Sequence, residues 1–313
     1  MAITNRLSFP DWLTTAALPF LNEAVDYGQK LRPRWYEQVF DMRSTNRPHE
    51  QYTSFTKFGL MVETDEGAPV TYDSPIQGFD KTLTPLQYAL GYQVSRLAFD
   101  DDRLGPVRNL AQGLGESDTE SRNIITADIF NNGFNSSFTG ADGVELFSTA
   151  HLREDGVTFR NELATSADFS ITSLRTAQID FANFRDGRGK RQMLVPAKIL
   201  IPPDLEWDVR EVLQSQLRPD TANNATNAFR VDSYNTAGMQ IIVCHYLTDT
   251  DAWFLLADKS QLSPYPLVFL EREAFNTMND VDFDTRTLKH AAWTRYDTDW
   301  TNNGSGMFGS SGA

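Results

Sequence analysis

The sequence predicts an α+β fold, and three observations carry it. Apolar residues alternate with small or polar ones over 58–63 and again over 86–95, the period of strands. Apolar residues recur at helical spacing over 104–129 and 170–184. Apolar, β-strand-like runs then recur from 193 to 300, punctuated by turn residues. The chain has 313 residues, enough for one large domain or two modest ones with a real core.

Residues 1–48 read as an arm. Ser8-Phe9-Pro10-Asp11 looks like a helix start. Pro19, Gly28, Pro33 and Pro48 divide the remainder into pieces too short to be stable alone. The arm either lies on something larger or is an ordinary extension. In 49–95, Phe58, Leu60 and Val62 form one strand and Leu86, Tyr88, Leu90, Tyr92 and Val94 another. The turn-rich stretch from Thr64 to Gly78 lies between them. The expectation is a long hairpin with a polar tip. Alone it is marginal in water, so it packs on its own chain or on a neighbouring copy.

Asp100-Asp101-Asp102 reads as a helix start rather than a metal site, since carboxylates cap free N–H groups at the positive end of the dipole. Leu104, Val107, Ala111 and Leu114 then form a stripe that Ile125, Ala127 and Ile129 continue. A break is expected at Gly113 and Gly115. Residues 131–161, rich in Asn, Gly, Ser, Thr and Asp, read as loops or short irregular strands. A helix with Leu174, Ala177, Phe181 and Phe184 on one face follows. The basic cluster Arg185, Arg188, Lys190 and Arg191 sits among glycines and reads as a solvated turn rather than a nucleic-acid patch. Residues 193–201 form a strand, and Pro202-Pro203-Asp204 start a helix carrying Leu205, Val209, Val212 and Leu213. Residues 218–228 read as a polar loop. Residues 239–247 and 252–257 are expected to pair as a hairpin. Residues 265–300 should form short runs with acidic turns, and the Gly/Ser-rich tail 304–313 should be mobile.

Composition excludes several functions. With 42 acidic against 28 basic residues, the net charge of −14 disfavours general binding to a phosphate backbone. The single cysteine, Cys244, allows no internal disulfide. Pro10 and Asp11 interrupt the N-terminal apolar residues, so no signal peptide is expected, and no stretch has the length of a membrane span. His49, His151, His245 and His290 have no compact ligand spacing. Cys244 and His245, as neighbours on a strand, point to opposite faces, so Cys244 reads as a buried small residue. Asp280, Asp282 and Asp284 lack the glycine and distal glutamate of a calcium loop. No nucleophile elbow, phosphate loop or dinucleotide fingerprint is present. No catalytic, metal or cofactor-binding residue is assigned.

The stretch TADIFNNGFNSSFTGADGVELFSTAH, residues 126–151, resembles the major capsid proteins of tailed bacteriophages, notably the group with Mu-like head subunits. Gly140-Ala141-Asp142-Gly143, Leu146-Phe147-Ser148 and His151 carry the pattern. Gly156, Asn161 and VPAKILIPPDLEWDVREVLQSQ (195–216) extend it. The resemblance implies a Hong Kong 97-type fold. It implies an N-terminal arm (1–48), an extended hairpin loop over a neighbour (49–95), a peripheral domain with a spine helix (96–196 and 281–303), an axial domain (197–280) and a flexible tail (304–313). The implied function is a major head protein that assembles, without catalysis, as pentamers and hexamers into an icosahedral shell. That shell would enclose double-stranded DNA without reading its sequence, in a virion assembled in the host cytoplasm. The implied partners are a portal, a separate scaffolding protein and decoration proteins; no membrane is involved. The candidate inter-subunit contacts are Phe58, Leu60, Tyr72, Phe79 and Tyr88 of the hairpin region and Trp12 and Trp35 of the arm. Some relatives cross-link a hairpin lysine to a neighbour. Lys57 and Lys81 lie in that region without identifiable partners, and no cross-link is predicted. Three alternatives remain at this point, the first two being an encapsulin-type compartment and a metal-dependent hydrolase built on His49, His151, His290 and carboxylates. A monomeric β-rich binding module is a third.

Overall fold

A computed structural model describes residues 18–95, 105–215, 217, 227, 238–282, 284–285 and 287–312. The Asp100–Asp102 helix start, Leu104, the 218–226 part of the polar loop, Ser8–Asp11 and Trp12 lie outside the described residues.

The chain opens with helix α1 (Leu18–Leu31) and the single turn α2 (Tyr36–Val39). Strands β1 (Asp41–Ser44), β2 (Glu50–Phe55), β3 (Gln77–Leu83) and β4 (Leu86–Ser95) follow. The long helix α3 spans Pro106–Asn131. After the two-residue strands β5 (His151–Leu152) and β6 (Thr158–Phe159) comes α4 (Ile171–Ala182). Then come β7 (Pro196–Ile201), α5 (Glu206–Gln214), β8 (Gln240–Val243) and β9 (Trp253–Ala257). The chain ends with β10 (Leu267–Val281), β11 (Thr287–Trp300) and β12 (Met307–Ser310).

Two four-stranded sheets organise the molecule. One runs β1-β10-β11-β4, the other β12-β9-β7-β8. On β11 the face of Leu288, His290, Ala292, Thr294, Tyr296, Thr298 and Trp300 is buried while the alternate residues are half-exposed. That is the period of a strand covered on one side. The second sheet is buried throughout β9 and β12, because α4 and α5 share a core with it through Phe181, Val209, Trp253 and Phe308. Helix α4 starts where Ser170 and Ser173 bond reciprocally as a capping box. A second core unites both sheets, with Phe130, Phe147, Phe254, Phe269, Tyr296 and Met307 in one cluster. No described helix is long and apolar enough to cross a membrane.

Several expectations are corrected. Residues 58–62 form no strand: β2 pairs instead with β3, and β4 pairs with β11, more than 190 residues later. Helix α1 runs unbroken through Gly28, and α3 through Gly113 and Gly115. A Cβ on Gly28 would lie 2.1 Å from the Gln112 carbonyl oxygen, and one on Gly115 would lie 2.1 Å from that of Val25. These two glycines let the helix backbones touch, and Leu21, Val25 and Ala111 fill the seam. The helix α3 begins at Pro106 with Gly105 as its cap, and its first turn holds no acidic residue. The 239–257 hairpin does not form, because β8 and β9 flank β7 on opposite sides. Residues 265–300 form one long antiparallel pair rather than short runs, with irregularities between Glu271 and Asn276. Part of the tail is not mobile: Met307 and Phe308 are fully buried in β12, paired with β9.

The glycine crossing makes a prediction. Gly28→Ala or Gly115→Ala should lower stability by about 1–3 kcal/mol, since backbone must move. Gly113, with open space where its Cβ would go, should gain about 0.5–1 kcal/mol as alanine. Urea denaturation of the three variants separates a packing role from helix propensity; equal effects would refute it.

Candidate assembly surface

The hairpin β2–β3 carries a loop, residues 56–76, that forms neither helix nor strand. Its base is closed by backbone and side chain together. Thr56 N–H donates to the Ile76 carbonyl at 2.9 Å, and Ile76 N–H donates to Thr56 Oγ1 at 2.8 Å. Ser54 Oγ donates to Glu154 at 3.1 Å and accepts from Phe79 N–H at 2.8 Å. Glu154 sits where Cβ atoms on Gly78 and Gly187 would clash with it, so both glycines make room for this carboxylate.

A second layer of bonds holds the loop from outside. Arg188 Nη1 donates to both oxygens of Asp73, at 3.0 and 2.9 Å, its Nε donates to Thr56 Oγ1 at 3.3 Å, and its Nη2 donates to the Ser74 carbonyl. Lys190 donates to the Phe58 carbonyl. The Gly59 N–H donates to Asp73 at 2.7 Å. That backbone donor, with Arg188 beside it, holds the Asp73 carboxyl below the usual carboxylate range. The basic cluster is thus not simply a solvated turn: Arg188 and Lys190 grip the loop, while Arg185 closes its own turn on the Gly189 carbonyl at 2.7 Å.

What the loop displays is apolar. Phe58 is 63 % exposed, Leu60 81 %, Met61 102 %, Val62 68 % and Tyr72 93 %. A cluster of exposed apolar side chains on one projecting element is the mark of an interaction surface. The other candidates are placed differently. Phe79 is half-buried on β3. Tyr88 stacks on Tyr296 with ring centroids 4.5 Å apart. Trp35 is only 5 % exposed and sits edge-on to Phe40 and Phe130 in the central core, so its surface is used within its own chain. Sequence reasoning did not single out Met61 and Val62, which are as exposed as the candidates beside them, although the alternation that contains them is visible. The Asp73–Arg188 grip, 115 residues apart, had no local signal.

The histidines are not brought together. His151 Nδ1 lies 2.6 Å from Asp142 and its Nε2 3.1 Å from the Leu146 carbonyl. His290 is buried elsewhere, on β11, with Nδ1 2.9 Å from the Tyr92 hydroxyl, and burial pushes its pKa down. Among the described residues no three His, Cys, Asp or Glu side chains converge as metal ligands. Cys244 is buried at the end of β8, and desolvation pushes its thiol up to about 11, so it is not a ready nucleophile. Asp282 serves a turn: it accepts from the N–H groups of Asp284 and Thr285 and from Lys289.

Comparison with solved structures finds the same architecture in phage and phage-like shells. The capsid of Ralstonia phage GP4 superposes with a TM-score of 0.57 at 12% identity, over 87% of this chain and 85% of that one. The capsid of an empty GTA particle gives 0.56 at 10%, over 89% of each. The procapsid of bacteriophage JBD30 gives 0.53 at 14%, over 95% of this chain and 74% of that one. At such identities the likeness speaks for the fold, which is of the Hong Kong 97 type. No curated protein sequence matches. Family membership comes from the sequence: the model described as phage capsid protein matches residues 80–304, from β3 through both sheets to the turn before β12. A match over that much of the chain places this protein in the phage capsid protein family.

Proposed function

We propose that many copies of this chain form the shell of a phage head. The carrying observation is the exposed apolar loop 58–72 on a chain of the phage capsid family. Phe58, Leu60 and Tyr72 meet a neighbouring subunit, with Phe79 at the border of the contact. Subunits gather as pentamers and hexamers around double-stranded DNA, with a portal, a separate scaffolding protein and decoration proteins as partners, and the host cytoplasm is the place of assembly. The peripheral unit, 96–196 and 281–303, holds α3 and β11, and the axial unit, 197–280, holds α5, β8 and β9. The role is structural, and its energy comes from surface buried between subunits, about 2,000 Å² or more for an obligate contact. The net charge of −14 suits a wall that encloses DNA without gripping it.

Light scattering and electron microscopy of the purified chain should show closed shells, or rings of five or six. A monomer at every salt concentration, also with a co-produced scaffolding protein, would refute the reading. Leu60→Asp with Tyr72→Asp should abolish assembly while shifting subunit stability by no more than about 0.5 kcal/mol, since both side chains face solvent.

The grip on the loop is testable in the subunit. Asp73→Asn should speed tryptic cleavage after Lys57 by about two- to five-fold, the scale of an exposed ion pair; an unchanged rate would show that Arg188 does not restrain the loop. Because the docked carboxyl has a lowered pKa, docking is at full strength above the ordinary carboxylate range. It is lost as pH falls through the docked value. The Gly59 amide resonance should therefore titrate below about pH 3.9.

A further inference from the structure

The turn after α4 holds two opposed cations with no counter-charge. Gln192 N–H donates to the Phe184 carbonyl at 3.0 Å, and Asp186 N–H donates to the Lys190 carbonyl at 2.8 Å. Between these bonds Arg185 and Arg191 face each other as an antiparallel pair. They exchange no backbone bond with each other. In such a pair the Cα atoms are about 4.5 Å apart and the side chains leave on the same face. Both arginines are exposed. Like charges directly opposed are destabilising, and an anion shared between them reverses the sign of the interaction.

The carboxylates nearby do not supply that anion. Asp155 accepts two bonds from Arg153, at 3.1 and 2.8 Å. Asp73 accepts two from Arg188. Asp186 accepts the N–H groups of Arg188 and Lys190 at 3.0 and 2.9 Å and lies 3.6 Å from the Lys190 ammonium. Arg185 donates from Nη1 to the Gly189 carbonyl. Among the described residues no carboxylate pairs with Arg185 or with Arg191.

Both arginines line an open cavity of about 850 Å³ between the turn and the loop, with Leu60 and Ile76 among its other walls. That volume is within the range of small-molecule sites, about 300–1,000 Å³. It is far larger than one inorganic anion needs, and its lining joins two unpaired cations to two apolar side chains.

We propose that this cavity binds an organic phosphate of nucleotide size. The two guanidinium forks take the phosphate oxygens in charge-assisted hydrogen bonds, for which their planar geometry is suited. Leu60 and Ile76 cover the apolar body of the ligand. A ligand that touches turn and loop together binds only while the loop is docked, so occupancy holds the loop in place. The chain carries a net charge of −14, so its general field repels anions and saturable binding marks a local site.

Calorimetric titration of the full chain with adenosine monophosphate, inorganic phosphate and adenosine, at fixed ionic strength, tests the site. Adenosine monophosphate should bind saturably, inorganic phosphate more weakly and adenosine not at all. Arg185→Gln with Arg191→Gln should weaken binding by about ten-fold or more, the scale of lost hydrogen bonds to a charged group. Arg191→Gln alone should not lower the melting temperature in phosphate-free buffer, because it removes one of two opposed like charges. Loss of binding is thereby separated from loss of fold. Saturating adenosine monophosphate should also slow tryptic cleavage after Lys57 in the unmodified chain and leave the rate of the double variant unchanged. Absence of saturable binding, or binding that the double variant retains, overturns the proposal. Binding that leaves the cleavage rate unaltered places the anion outside the cavity and overturns it too. A short DNA duplex that binds, and loses binding in the same variant, would assign the two arginines to a nucleic-acid backbone instead.

Discussion

The body of the subunit hangs on one buried cation. Arg122, on α3, donates to Asp118 one turn earlier at 3.1 Å, to Glu271 of β10 at 2.8 Å and to Thr294 of β11 at 2.8 Å. Its guanidinium also lies over the rings of Tyr296 and Phe269, at 4.9 and 5.6 Å from their centroids. Burial opposes its charge, but the surrounding carboxylates outweigh burial and raise its pKa. A lysine could not repeat this arrangement. Only the planar fork serves partners on three elements while stacking on aromatic faces. The two rings belong to a column in which Tyr36, Phe269, Tyr296 and Tyr88 stack in succession. Thus α2, β10, β11 and β4 are threaded on one aromatic stack, and α3 is pinned to it by charge.

This pinning explains the glycine crossing two turns earlier on α3. A helix fixed to the sheet by a buried ion cluster has little freedom to slide. For α1 to pack beside it, the two backbones must come within contact distance, and Gly28 and Gly115 allow it. Asp118 joins the two arrangements: it accepts from Arg122 and, through its other oxygen, from Gln29 of α1 at 2.9 Å. Position on the sheet and position of the covering helix are therefore coupled through a single carboxylate.

Local chemistry was legible in the sequence, and pairing was not. The stripe at Leu174, Ala177 and Phe181 gave α4, which buries that face, and the alternation from Leu86 to Val94 gave β4, of which Tyr88, Tyr92 and Val94 turn inward. The partners of strands depend on residues far away: β1 pairs with β10, β4 with β11 and β12 with β9. The adjacency of 239–247 and 252–257 suggested a hairpin, yet β7 inserts between the two strands. Gly115 looked like a weak point because a sequence shows what glycine costs a helix and not what backbone will approach it. The tail looked mobile for the same reason. Its glycines hid Met307 and Phe308, whose burial is decided by a sheet edge that earlier segments leave open. Of the candidate surface, the apolar character of the loop was legible and the grip by Arg188 was not.

These long-range pairings also decide when the loop takes its shape. The sheets contain strands from both ends of the described chain, since β1 meets β10 and β12 closes on β9. Non-local pairing of this kind delays completion of the core until the C-terminal strands are present. The loop waits on it too: its hairpin rests on β10 through Leu83 against Val268 and Leu270 and on β11 through Lys81 paired with Asp299, and the turn at 185–191 that grips it follows Phe184, which shares a core with Phe308 of β12. The exposed apolar residues are therefore held in one place only on a finished body, so a contact that needs the held loop is confined to folded subunits.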